Sequence, residues 1–445
     1  MGWRLLFALS MIASTALAGL ARAVDEGEEP IDERRTILSD WGDLREDLER
    51  SGLQLEAAYT LDYMANVRGG LRREDEVLGN LDLVLTWQPE AWLDRDLGTF
   101  FLYGLANHGG RISADVGDAQ VVDNIEAPDA VRLFEAWWQK SLFDDRASIL
   151  LGLYDVNSEF YVVESAEFFI HSSFGIGAAL GTSGVNGPSI FPSTSLGVRF
   201  KAEPVTGYEL QAAVLDGVPG DPDDLQATRI ELGADDGVLA LVEIARRWGH
   251  RPLAPSEKIL RAPQRRRVGR AGPDMPYLLR VAVGAWLYTT RLPHLSRTEA
   301  DGTPALRRGH PGLYLTAELD ASRLDPLDSR GLAGFLQLGF ADGDVGQFAG
   351  YAGGGFKYTG LLPTRPDDEL GVAVAAAFNG RAFEEASQRR GDSPSEAEIA
   401  IEGTYRARLA PWLSIQGDLQ YVIDPGGVGS RDDALVLGLR FALSL

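Results

Sequence analysis

Glu135, Trp137 and Gln139 lie two residues apart, so on an extended backbone a carboxylate, a flat ring and an amide share one face. Arg199 and Lys201 repeat that spacing, as do Arg280 and Trp286 at a separation of six. Tyr154, Asp155, Asn157 and Glu159 follow at the end of another such segment. Rings, amides and fixed charges of both signs can hold a polar, flat-faced solute by stacking and hydrogen bonding. Covalent chemistry has no comparable support. The five histidines, His108, His171, His250, His294 and His310, show no metal-binding spacing, the Gly-X-Ser strings lack the third glycine of a nucleophile elbow, and there is no cysteine. The expectation is a non-enzyme without a cofactor. Asp155, Asn157 and Glu159 could instead ligate a structural calcium through oxygen, although the regular carboxylate spacing of an EF-hand is missing.

The elements that must position these residues are long strands. In the last twelve residues Leu435, Leu437, Leu439, Phe441, Leu443 and Leu445 share one face, with Arg440 and Ser444 opposite. From Leu53, the residues Leu55, Ala57, Tyr59, Leu61 and Tyr63 likewise oppose Gln54, Glu56, Thr60 and Asp62. Leu196, Val198 and Phe200 oppose Arg199 and Lys201, and Ile399, Ile401, Tyr405 and Leu409 oppose Glu398, Glu402, Arg406 and Arg408. Charges keep to one face. The segments run to about 9–13 residues, the length of a tilted strand crossing hydrocarbon rather than of an ordinary globular strand. A transmembrane β-barrel is therefore expected, its lipid face apolar and its lumen wet. On this alternation Phe134, Ala136 and Trp138 face lipid. Trp137 has a second reading, as part of the interfacial aromatic girdle with Trp87, Trp92 and Trp412.

Seventeen segments fit the pattern, but single-chain barrels carry an even number so that both termini share the periplasmic side. Thr228 to Leu232 is too short to span and is assigned to a loop, which leaves sixteen; Arg280 and Trp286 belong to the tenth of the original segments. Parity then makes the turns at Ser141 to Arg146, Glu203 to Gly207 and Ala410-Pro411 periplasmic, and the long stretch Asn157 to Ser193 extracellular. It also places the arginine-rich stretch Gly249 to Pro276 on the periplasmic side, as a solvated loop or a contact for an acidic partner or an anionic headgroup.

The chain opens with Arg4, an apolar run from Leu5 to Leu20 and the small residues of Ala21-Arg22-Ala23, the pattern of a signal peptide ending at residue 23. Its removal takes the net charge from -23 to -25, an overall balance that argues against nucleic acid or anionic phosphate as a partner. Residues 24–52 then read as an acidic segment ending in a short amphipathic helix carrying Trp41, Leu44 and Leu48, and 53–445 as the barrel.

Several strings, in order along one chain, resemble the carbohydrate-selective porins of the OprB type. They are Asp40-Trp41-Gly42-Asp43-Leu44-Arg45, Arg132-Leu133-Phe134-Glu135-Ala136-Trp137, Gly152-Leu153-Tyr154-Asp155-Val156-Asn157-Ser158-Glu159-Phe160, Ser172-Ser173-Phe174-Gly175, Pro188-Ser189-Ile190-Phe191-Pro192 and Asp418 to Gly427. The resemblance implies a sixteen-stranded outer-membrane barrel of a Gram-negative bacterium for passive uptake of mono- and small oligosaccharides. An inward-folded loop would narrow its pore, and the N-terminal helix would lie near the periplasmic mouth. Sugars would be the permeants, with outer-membrane lipids and the barrel assembly machinery as partners. In that setting Glu135, Trp137, Gln139, Tyr154, Asp155, Asn157, Glu159, Arg199, Lys201, Arg280 and Trp286 are the constriction candidates. Glu56, Asp62, Glu402 and Asp418 would face the cations across the lumen. A general diffusion porin is the nearest alternative, while a barrel-embedded glycoside hydrolase or a soluble lectin fits the residues less well. Two departures stand out: Leu445 replaces the usual terminal aromatic, and the insert around Arg266 is long.

Overall fold

The computed structural model describes residues 43–444, apart from 94, 223, 225–227, 231, 234, 250–276 and 322–329. The signal peptide, the acidic segment up to residue 42, the arginine-rich insert and Leu445 thus lie outside the described residues. A short helix, α1 (Asp43–Arg50), leads into the first strand; Gly52, at φ +76°, makes the turn between them.

Sixteen strands close into one antiparallel barrel, each paired with its sequence neighbours and β1 with β16. They are β1 (Leu53–Arg68), β2 (Asp75–Trp87), β3 (Thr99–Gly109), β4 (Ala130–Leu142), β5 (Ala147–Tyr154), β6 (Ser195–Val205), β7 (Tyr208–Asp216) and β8 (Val238–Trp248). The rest are β9 (Leu279–Thr298), β10 (Pro304–Asp320), β11 (Gly331–Ala341), β12 (Phe348–Thr359), β13 (Glu369–Asn379), β14 (Ala397–Ala410), β15 (Leu413–Ile423) and β16 (Ala434–Ser444). Closure leaves no sheet edge, as a strand structure in hydrocarbon requires. With Thr228 to Leu232 in a loop, Arg280 and Trp286 fall on the ninth strand.

The two faces sort as the alternation requires. Leu55, Leu83, Leu313 and Phe356 point outward and are exposed, whereas Thr60, Asp62, Asp82 and Gln420 point inward and are buried. Register carries charge pairing directly: Asp62 of β1 stands opposite Arg440 of β16, and Arg440 bonds it through Nε at 2.8 Å and Nη2 at 2.6 Å.

β4 departs from the alternation. Tyr103 pairs with Glu135 but Gly104 with Leu133, so Phe134 is an extra residue in a bulge and the parity of the strand changes there. Phe134 therefore turns inward, 1% exposed and edge-on to Tyr103 at 5.1 Å, instead of facing lipid. Arg132 and Glu135 both end up inside. Trp137 also lies inside, stacked on Phe101 at 4.4 Å, and is no girdle residue.

The apolar core sits within the barrel. Residues 155–194, between β5 and β6, fold into the lumen as three single 3-10 turns and the helical turn Ala178–Gly181. This inner loop buries Phe160, Tyr161, Phe169, Phe174 and Leu180 against Trp286, Tyr314, Phe335 and Tyr351 of the wall. Glycines thin the wall behind those rings: a Cβ at Gly312 would come 2.0 Å from the Trp286 ring, and one at Gly284 2.1 Å from that of Tyr314. At the end of the barrel where the inner loop leaves β5, a second helix, α2 (Arg381–Arg390), follows β13, ends at Gly391 with φ +88°, and is bound to β9 by Ser296 and Glu385 at 3.0 Å.

Candidate functional site

A loop inside a barrel must find partners for its own backbone, since an unmet buried amide costs about 1–3 kcal/mol. Here inward carboxylates of the wall accept its N–H groups. Glu135 accepts from Asp155 at 3.2 Å, Glu243 from Tyr161 at 3.0 Å, Glu318 from Ser165, and Glu402 from Ile170 at 2.8 Å and His171 at 3.0 Å. Wall donors take the carbonyls: Arg280 reaches Val162 at 3.0 Å, Gln416 Phe168 at 2.9 Å, Tyr351 Ser173 at 2.7 Å and Gln337 Phe174 at 2.8 Å. Tyr161 has a left-handed φ of 62°, strained for a bulky residue, and the Glu243 bond sits at that position. The shorter loop between β3 and β4 is tied in the same manner. Glu398 accepts from Ala119 at 2.8 Å and Gln120 at 3.0 Å, and Arg440 donates to Asn124 at 2.7 Å.

Where the inner loop leaves β5, Glu159 collects most of the charge. Its carboxylate accepts from Arg199 Nε at 2.6 Å and the Tyr154 hydroxyl at 2.7 Å, with Lys201 Nζ at 3.4 Å. Burial pushes the Glu159 carboxyl up, but the neighbouring Arg199 and Lys201 together with these hydrogen bonds outweigh it and hold the group below its ordinary value. Arg199 is 1% exposed and also donates to Ser148 Oγ and Gln139 Oε1, both at 2.6 Å.

Below the loop lies the water-accessible lumen, with a cavity of about 720 Å³. Two basic arcs of the wall border it, near the strand ends opposite to where the inner loop leaves β5. On β6–β9, Lys201, Arg247 and Arg280 surround Glu209, at 3.4, 3.6 and 3.9 Å. On β12–β14, Lys357 lies 2.8 Å from Glu369 and Arg406 pairs with the same carboxylate, its guanidinium 5.1 Å above the Phe168 ring. The inner loop adds Glu159, Glu164 and Glu167 to the lining. Hydrogen-bond donors of the wall and carboxylate acceptors of the loop thus border one wet space.

The structure divides the sequence candidates. Glu135, Asp155, Asn157, Glu159, Lys201 and Arg280 line the lumen; Trp137, Tyr154, Arg199 and Trp286 are buried behind that lining, and Gln139, partly exposed, accepts from Arg199. Glu135 also accepts the Trp137 indole N–H at 3.1 Å, and Trp286 lies roughly parallel to Tyr314 at 6.3 Å. Asp62, Glu402 and Asp418 do not form a ladder facing the cations of the opposite wall: Asp62 is bound by Arg440, and Glu402, beside Asp418, by the loop amides. Asp155 accepts the Asn157 N–H at 2.9 Å and the Asn157 amide donates to Phe160 and Gly175, so the oxygen cluster is knit into its own turn. Among the described residues no group of three or more His, Cys, Asp or Glu side chains is placed to hold a metal.

Sequence reasoning left out Glu209, Arg247, Lys357 and Glu369, which the arcs require, and did not name Arg406 as a site residue. Inward parity on their strands was the available signal. It also missed Phe191, which lines the same space half-buried, because that ring belongs to the loop and follows no strand period.

Comparison with known proteins gives a concordant result. The family described as "Carbohydrate-selective porin, OprB family" matches residues 72–445. The chain is 22% identical over 455 residues to Porin B of Pseudomonas aeruginosa, covering 95% of this chain and 94% of that protein. Among solved structures, OprB of Pseudomonas putida at high pH superposes with a TM-score of 0.75 at 18% identity, covering 91% of this chain and 97% of the other. The low-pH structure of that protein gives 0.56 at 15% identity, covering 94% and 100%.

Proposed function

Since the chain belongs to the carbohydrate-selective porin family OprB and is an outer-membrane porin of the Gram-negative kind, we propose how its lumen selects sugars. A monosaccharide enters past Phe191, whose partly open ring takes the apolar face of the pyranose, and then meets the loop carboxylates and the two basic arcs. Its hydroxyls donate to Glu159 and Glu167 and accept from Lys201, Arg247, Lys357 and Arg406. Each lost water is replaced while no contact is tight enough to stop diffusion. Arg199, Tyr154 and Gln139 act as positioning residues that hold Glu159 in place. The observation that carries this reading is the row of loop acids set above wall cations in one wet cavity.

Residues 1–23 are the leader removed on export, and the mature chain is handed to the barrel assembly machinery, with Phe441 as the aromatic nearest the C-terminus. Outer-membrane lipids cover the leucine-rich outer wall. Liposome swelling tests the selectivity: the reading expects glucose and small oligosaccharides to enter faster than uncharged polyols of matched size. Rates that follow size alone would make this a general diffusion pore.

A further inference from the structure

The hairpin of β9 and β10 is the tallest in the barrel, at 20 and 17 residues, and its outer part rises above its neighbours. Pairing with β8 begins at Tyr288 and pairing with β11 at Gly312. Just beyond those levels Arg291 and Arg308 stand directly opposite each other. Both lie on the lipid-side face, in line with Leu287, Pro311 and Leu313, and both are exposed. Like charges placed opposite across a strand pair destabilise it. Arg307, one residue away with its side chain inward, is neutralised by Asp342 at 2.8 Å and by Asp344. Its outward neighbours are not: Arg308 Nε donates to the Thr289 carbonyl at 3.2 Å, and neither Arg291 nor Arg308 meets a carboxylate among the described residues. The apolar surface below them is open, with Leu287 45% and Leu313 57% exposed.

We propose that Arg291 and Arg308 form a binding site for the phosphate of an outer-leaflet glycolipid, whose acyl chains lie along Leu287 and Leu313. Paired guanidinium groups suit a phosphomonoester geometrically, and an anion between them converts a repulsive pair into an attractive one. They stand above Leu287 and Leu313 and above the levels at which β8 and β11 pair with the hairpin, with Leu306 and Pro293 continuing the outward face beyond them, and this is a height at which a lipid headgroup meets a barrel wall. The site lies on the outside of the wall, so sugar passage through the lumen does not depend on it.

Native mass spectrometry of the purified barrel in detergent, titrated with diphosphoryl lipid A, tests this. The wild-type protein is expected to retain the lipid, and the R291Q/R308Q variant to bind it about tenfold more weakly. R297Q, which removes an outward arginine nearer the hairpin tip, is expected to behave as wild type. Neither phosphatidylglycerol nor millimolar inorganic phosphate should displace the lipid. Equal binding by wild type and R291Q/R308Q overturns the proposal, as does displacement by either competitor. The single variants R291Q and R308Q, each expected to lose part of the affinity, serve if the double variant fails to assemble.

Discussion

Glu159 shows how far a single side chain's role depends on neighbours that its own segment does not reveal. As a carboxylate whose folded value is depressed, it stabilises the loop above the ordinary carboxylate range and loses that contribution as pH falls through its lowered value. Arg199→Ala removes the principal opposing charge and leaves burial to push the group up, so protonation moves to higher pH. Planar-bilayer conductance titrated downward from pH 7 should then change at higher pH in the variant than in wild type; superimposable titrations would contradict the role of Arg199. His171 behaves oppositely in origin but loses stability in the same direction. Its Nδ1 accepts from Ser173 at 3.3 Å, and burial pushes the ring down to about 3, below the unfolded value near 6.5. Between those limits the unfolded segment binds a proton that the folded one refuses. Through His171, anchoring of the loop should weaken by about 1.4 kcal/mol per pH unit on acidification between those limits, a contribution that His171→Phe removes. Exchange of the Ser173 amide, corrected for its intrinsic pH dependence, reads this directly. At this scale the sequence was half legible. Period-two spacing put Lys201, Arg199 and Arg280 inside, but it could not tell a side chain that reaches water from one sealed behind a loop, as Arg199 and Trp286 are.

Strands and the inner loop answer to different rules. A strand's burial follows from its own alternation, so β1, β6, β14 and β16 were readable residue by residue; β4 failed at Phe134 because a bulge leaves no mark in the spacing. Lipid-facing positions carry a simple expectation. Leu83→Arg, in the interior of β2 and half exposed, should cost about 2–4 kcal/mol in denaturant unfolding from lipid vesicles if it lies near the midplane. A loss below about 1 kcal/mol would place it at an interface instead. The loop's seat, by contrast, depends on partners more than a hundred residues away in sequence, such as Glu402 beneath Ile170 and His171. Glutamates on a lumen-facing stripe look alike whether they meet a permeant or a backbone amide, and that ambiguity misplaced Glu402 and Asp418. Glu402→Ala leaves two buried N–H groups without an acceptor and should cost the loop about 1–3 kcal/mol for each unmet donor. Faster amide exchange confined to the segment around Ile170 is the expected result, and unchanged exchange would show that the carboxylate is not what holds the loop.

For the whole molecule the decisive arrangement is a closed wall, apolar outside, around an interior that is part packed core and part wet passage. The count of sixteen strands was accessible from parity once Thr228 to Leu232 was set aside, because closure and shared termini allow few alternatives. The division of the lumen was not, since the loop that makes it has no period to read. Its consequence is that acids from the loop and cations from the wall border one chamber, where neutral hydroxyls find both donors and acceptors. The most direct test is single-channel conductance in planar bilayers, titrated with glucose from the extracellular side, for wild type and for Lys201→Ala/Arg406→Ala. Saturable reduction of ion current by glucose in wild type, shifted to higher concentration in the variant, is the predicted result; ion current that glucose does not reduce, in either protein, would contradict a sugar-selective lumen.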